Sequence, residues 1–256
     1  MSFNSIMGVI STVALFLPVA CILVFRLGRH RSFPALLAYF AIAFINNFLG
    51  QGYITTSTDT VKYLSLSNNL LDAPLMLLFL TYFSTTAAHA RRMIWVILCF
   101  IVFEIVVVFL MGHSNRAIAV ILGPGLGIVL TYCVQFFVRH TKLAVVNTKA
   151  IGRAVISASL LFAYGCFAII YLIYYIFEAQ RVNGVINEQN LADTYLIFFF
   201  STTMSSIILT VGIFIESKRV QKLNELKVTR KELSIIYEGT QTGGSFKTVL
   251  LDFDRD

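Results

Sequence analysis

Charge is scarce in this chain. Asp, Glu, Lys and Arg together make up 13% of its 256 residues, roughly half the share found in soluble domains. Hydrophobic residues make up 57%. So little charge cannot cover a water-soluble surface, so a soluble globular fold is excluded. Cysteine is also thin. Cys21, Cys99, Cys133 and Cys166 each fall inside a different apolar stretch. A disulfide framework needs pairs in oxidising loops, so these four read as small buried apolar residues. The histidines are His30, His89, His113 and His140. They are scattered near the ends of apolar stretches, with no His-x-x-x-His pair and no Cys/His cluster for a metal. Neither a G-x-S-x-G elbow nor a Gly-rich phosphate loop occurs. No catalytic residue, metal or cofactor is therefore assigned.

What the chain does have is seven apolar stretches. They lie near Ile6–Phe25, Phe33–Ile54, Tyr63–Ser84, Met93–Gly112, Ala117–Val138, Ala154–Phe177 and Ala192–Ile215. Each has about the ~20 residues of helix that cross a bilayer core of ~30 Å. The gaps between them sort by charge. Arg26, Arg29, Arg31, Arg91, Arg92, Arg139, Lys142, Lys149, Arg153, Lys218, Arg219 and Lys222 fall on one side, and only Lys62, Arg116 and Arg181 on the other. That bias of twelve to three orients the chain with its N-terminus outside and its C-terminus in the cytoplasm. The net charge of +7 does not point to a nucleic-acid partner, because the basic residues flank spans where anionic lipid headgroups lie. The first stretch lacks a basic leader and a small-residue cleavage site, so it reads as a retained span. The expected fold is all-α, a polytopic seven-transmembrane-helix bundle over residues 1–216, followed by a cytoplasmic basic helix and short tail over 217–256.

The loops are short, the longest outer one being Glu178–Asp193. Pro34 sits in the first turn of the second span, where its missing N–H does no harm. Gly123-Pro124-Gly125 with Gly127 marks the fifth span either as kinked or as closely packed through small residues. The seventh span is expected to run on as a helix through Glu216–Tyr237, which contains no Pro or Gly. There Leu223, Leu226, Leu233 and Tyr237 fit heptad core spacing, with Arg230 in one core position. Such a stripe needs a cover: the inner leaflet, a second copy, or a partner protein. Glu238–Ser245 reads as a flexible turn, and Phe246–Phe253 as a short strand or docking tail.

The sharpest polar constellation is in the third span. Ser65, Asn68, Asn69 and Asp72 fall within an arc of about 100° on one helix face at ~100° per residue. An Asp near mid-membrane costs ~2.5–3.5 kcal/mol even on the lenient insertion scale, so Asp72 should face the bundle interior. Asn46 and Asn47 in the second span, Glu104 in the fourth and Tyr164 in the sixth are the neighbours that could complete a ligand- or proton-binding site. No Lys or Arg is predicted at that depth. The alternative for the same residues is a structural hydrogen-bond network between helices. Ser201, Thr202, Thr203, Ser205, Ser206 and Thr210 cover about half of the seventh span and read as small-residue packing.

Three features together resemble a known layout. They are the basic first inner loop Arg26-Leu27-Gly28-Arg29-His30-Arg31, the third-span segment Pro74-Leu75-Met76-Leu77-Leu78-Phe79-Leu80-Thr81-Tyr82-Phe83, and a seventh span that leaves the membrane as a charged helix. This layout resembles the seven-helix sensor region at the N-terminus of some bacterial signalling proteins, histidine kinases among them, over most of residues 1–235. The resemblance implies a receptor-like protein of the bacterial cytoplasmic (inner) membrane that passes a signal to a cytoplasmic partner. Such sensors feed a kinase, cyclase or PAS domain. Here only some twenty residues follow Tyr237, so output is expected to pass to a separate protein or to belong to a longer chain. Asp72-Ala73-Pro74-Leu75-Met76-Leu77-Leu78 also looks like the third helix of microbial rhodopsins. A retinal Schiff base needs a mid-membrane lysine, however, and the seventh span has none.

Three functions remain from the residues. One is a sensor acting through the Asp72 cluster. Another is a small proton-coupled transporter or lipid-handling protein using Asp72 and Glu104. The third is a structural subunit docking through its Ser/Thr-rich seventh span. The expected partners are membrane lipids and a cytoplasmic or membrane protein held through 217–237, with a homodimer as a further arrangement.

The topology is directly testable. On a cysteine-free background, Lys149→Cys should react with a membrane-impermeant maleimide only from the cytoplasmic side, and Asn187→Cys only from outside. Labelling of position 149, but not 187, from outside would invert the orientation.

Overall fold

A computed structural model of the protein describes residues 3–30, 33–52, 54, 57–112, 114–181 and 188–240. It contains seven long helices: α1 (Phe3–Val24), α2 (Phe33–Gly50), α3 (Thr58–Leu80), α4 (Ala87–Met111), α5 (Asn115–Val146), α6 (Ile151–Arg181) and α7 (Glu188–Thr240). All seven are long and apolar enough to cross a bilayer, as in an integral membrane protein. No strand occurs among the described residues.

Local chemistry sets the helix starts. Ser57, Thr86 and Ser114 each accept a hydrogen bond from the backbone N–H three residues on and so cap α3, α4 and α5. Between α1 and the tight turn at Leu27–Arg29, Arg26 adopts a left-handed conformation with φ 54°. Several helices overrun the apolar stretches. α5 continues past Val138 to Val146, while α6 ends at Arg181 and α7 begins at Glu188. The outer loop expected over Glu178–Asp193 is therefore mostly helix. The stretch between those two helices, 182–187, lies outside the described residues.

Each helix packs on its neighbours in sequence, and α1 closes the ring against α7. α3 also packs on α5, which leaves α4 on the periphery. Its outer surface, including Trp95, Val102, Ile105, Phe109 and Leu110, is exposed as a lipid-facing surface would be. Its inner stripe is Met93, Ile97, Phe100, Glu104 and Val107. Cys133 is buried, but Cys99 is exposed on the outer side of α4, so the reading of four buried cysteines fails for a helix that offers one face to lipid.

The α5 glycines serve close packing. A Cβ on Gly125 would sit 3.0 Å from the Phe100 ring and 3.2 Å from Ala73 Cβ. One on Gly123 would sit 2.8 Å from the Tyr171 hydroxyl, which donates to the Ala119 carbonyl. α5 is helical straight through Pro124. On α7, a Cβ on Gly212 would come within 2.7 Å of Ile156 Cγ1 and 3.0 Å of its backbone nitrogen, so α6 and α7 touch almost backbone to backbone.

α7 has 53 residues, about 80 Å of helix at 1.5 Å per residue. The extension expected over Glu216–Tyr237 is continuous with the span. Val220 is the last buried residue; from Gln221 onward every side chain described is exposed. Val220, one turn before the expected stripe, is covered within one chain. Leu223, Leu226 and Leu233 are exposed. The expected strand or docking tail at Phe246–Phe253, and residues 241–245 of the expected turn, lie outside the described residues.

Candidate functional site

Two polar clusters lie inside the bundle, one at mid-depth and one at the end where α7 leaves. The first centres on Asp72 of α3. The Tyr164 hydroxyl of α6 donates to Asp72 Oδ1 at 3.2 Å. The Tyr39 hydroxyl of α2 lies within hydrogen-bonding reach of the same carboxyl group. Glu104 of α4 occupies the inner stripe of its helix, is 7% exposed, and lies close enough for the Asp72 charge to act on it. Its Oε1 is buried without a hydrogen-bond partner among the described residues.

Beside this cluster is a cavity of about 30 Å³ whose walls include Tyr39, Tyr164, Ser159, Thr202 and Ser206. A void of that size holds one or two waters, whereas ligand pockets run to about 300–1,000 Å³. The Thr202 and Ser206 hydroxyl oxygens are buried and have no partner among the described residues. This is the polar chemistry that an internal water satisfies.

Of the residues singled out in the sequence, Asp72, Glu104 and Tyr164 are therefore brought together. Asn47 is used elsewhere: its Nδ2 donates to Thr12 Oγ1 of α1 at 3.1 Å, and Thr12 in turn donates to the Gly8 carbonyl at 2.8 Å. Asn46, Asn68 and Asn69 are half-buried. Ser201, Thr202, Thr203, Ser205 and Ser206 are buried within the bundle, so they do not form an outward docking face. Their hydroxyls are partly used locally, as where Ser205 donates to the Thr202 carbonyl.

The second cluster was not found from the sequence. Glu216 of α7 is fully buried. Its Oε1 accepts from Arg153 Nε of α6 at 3.3 Å, from Arg219 Nη2 at 2.6 Å, and from the Tyr82 hydroxyl in the tight turn after α3. Arg219 Nη2 also donates to the Tyr82 oxygen at 3.1 Å, and the Arg153 guanidinium lies over the Tyr82 ring at 5.3 Å. Gly152 admits Glu216: a Cβ there would lie 2.9 Å from its backbone nitrogen and 3.0 Å from its Oε2. His140 of α5 is buried nearby against the Phe83 and Phe136 rings, at 5.3 and 6.3 Å between centroids.

One signal could have revealed this clamp. Position alone makes Arg153 and Arg219 loop charges, yet Glu216 is the single acid among the basic segments 26–31, 91–92, 139–153 and 216–222. A lone carboxylate in such company attracts guanidinium partners.

The chain matches no known protein-family model, no curated protein and no solved structure.

The Asp72 cluster yields a stability prediction. Asp72→Asn keeps hydrogen-bonding capacity toward Tyr164 and Tyr39, whereas Asp72→Leu strands both hydroxyls. Thermal unfolding in nanodiscs should find the leucine variant less stable than the asparagine variant by about 1–3 kcal/mol. Equal stability would show that the network does not hold the helices together.

Proposed function

We propose that this protein is a membrane sensor in which a change at the Asp72–Glu104 cluster moves the membrane exit of α7, and α7 carries that movement to a cytoplasmic partner. The observation that supports this is the sharing of two helices between the two polar clusters. α3 carries Asp72 and, ten residues on, leads to Tyr82, about 15 Å along a helix. α6 carries Arg153 and, eleven residues on, Tyr164, about 16 Å along a helix. A shift of either helix at the Asp72 end is thus delivered to Glu216 at the other. Packed helices with polar networks at both ends are the physical means by which two sites become coupled.

The size of the cavity narrows the stimulus. A metabolite does not fit, but a water does, and a proton on the Asp72–Glu104 pair needs no space. The proposed stimulus is therefore a change in protonation of this acid pair, with Tyr39 and Tyr164 as its hydrogen-bonding neighbours. Intramembrane acids without a basic partner at their depth are the usual elements of proton-responsive membrane proteins. The charge bias supports placing the N-terminus outside and the long helix in the cytoplasm. The layout resemblance supports a bacterial cytoplasmic membrane.

The same acid pair would serve a proton-coupled transporter, so the test must separate movement from flux. Spin labels are placed at Val145→Cys and Lys222→Cys on a cysteine-free background, and their distance is measured in nanodiscs at acidic and alkaline pH. A pH-dependent change of about 1–5 Å is expected, abolished by Asp72→Asn. An unchanged distance, together with proton uptake into proteoliposomes that Asp72→Asn stops, would replace sensing by transport.

A further inference from the structure

The extension of α7 beyond Val220 has a face that nothing in the chain covers. Leu223, Leu226 and Leu233 are 40, 66 and 49% exposed, and they repeat at heptad spacing along an unbroken helix. The charges around this stripe are of one sign. Lys222 and Lys227 border it, and Arg230 lies within it. The acids of this segment, Glu225 and Glu232, lie about 110° and 130° from the centre of the three leucines at ~100° per residue, further round than the bordering lysines. We propose that this stripe is a docking surface for an amphipathic helix with acidic flanks, supplied by a separate cytoplasmic protein.

Three candidate occupants are separated by the geometry. The inner leaflet suits a helix that lies in the membrane plane. This helix instead continues the axis of its span. From Glu216 to Thr240 it projects about 37 Å at 1.5 Å per residue, which carries Leu233 well beyond the headgroups. A second copy in the same membrane has to pair in parallel. In a parallel two-stranded coil, the residue before the first core leucine faces the partner's residue five positions later. That sets Lys222 against Lys227 of the other chain, in both directions, and stacks Arg230 on Arg230. Like charges so placed oppose pairing. An acidic-flanked helix replaces that repulsion with attraction along the stripe's borders and gives Arg230 a carboxylate.

This inference rests on the cytoplasmic placement of α7 given above, but not on the role of the acid pair. The full chain is held in nanodiscs of phosphatidylcholine, or of phosphatidylcholine with phosphatidylserine. The probes are two fluorescent heptad peptides with leucine core positions, one flanked by glutamates and the other by lysines. The glutamate peptide should bind at least about tenfold more tightly than the lysine peptide. Leu226→Glu with Leu233→Glu should abolish binding, and Lys222→Glu with Lys227→Glu should reverse the preference.

Equal binding of both peptides would overturn the proposal. So would protection of the stripe only in phosphatidylserine discs, which would assign it to the leaflet, or disulfide cross-linking of Leu226→Cys between two chains, which would assign it to a second copy. The same measurement in the Asp72→Asn background separates the two readings. Binding retained there while the pH response is lost supports both. Binding absent in both backgrounds overturns the docking surface alone.

Discussion

The Glu216 carboxylate holds together the end of the bundle from which α7 emerges. A buried acid at the edge of a membrane must find all its partners inside the protein, and breaking such a pair by removing one member is far more costly than never having built it. Here the partners of Oε1 come from three directions: Arg153 from α6, Arg219 from the next turn of α7, and Tyr82 from the turn that follows α3, while Oε2 is buried without a partner among the described residues. That arrangement fixes where α3, α6 and α7 stand relative to one another. Two further details follow from it. Gly152 has to be a glycine for α6 to come this close, and Tyr82 is buried with its ring under Arg153 and its hydroxyl on Glu216.

The mid-depth cluster is built differently. Asp72 meets hydroxyl groups from α2 and α6, and its charge reaches another acid on α4, with no guanidinium or ammonium group among its named neighbours. It is held by hydrogen bonds from tyrosine hydroxyls, and interhelical side-chain bonds in membranes are worth about 0.6–2 kcal/mol each. The exit cluster is held by charge-assisted bonds, roughly twice as strong as neutral ones. Under the proposed coupling, the mid-depth site would be the movable end of a lever and the exit cluster its hinge. In the proposed function, the stimulus acts on the movable end.

The sequence yields the spans because a 20-residue apolar run has few alternatives, and it yields Asp72 because a lone acid in such a run is conspicuous. Tyr164 and Glu104 were reachable by depth alone. Depth does not give azimuth, however, and Asn46 and Asn47 show the consequence. They lie at a similar predicted depth, yet Asn47 turns to Thr12 on α1. Tyr39 was missed because a tyrosine in an apolar helix looks like a core residue until its hydroxyl partner is known. The Glu216 clamp was missed for a related reason. Arg153 and Glu216 are 63 residues apart, and the positive-inside rule treats every basic residue at a span end as a solvated flank. Helix overrun was similarly hidden, since hydropathy ends at the membrane and α7 does not.

The central claim is that the two clusters, which share no residue, are energetically coupled through α3 and α6. A double-mutant cycle on unfolding free energy in nanodiscs tests it most directly, with Asp72→Asn and Glu216→Gln as the single variants. Substitutions this far apart without shared partners usually add to within about 0.3–0.5 kcal/mol. Coupling through the two helices predicts a departure from additivity clearly above that limit, about 1 kcal/mol or more. Strict additivity would contradict it.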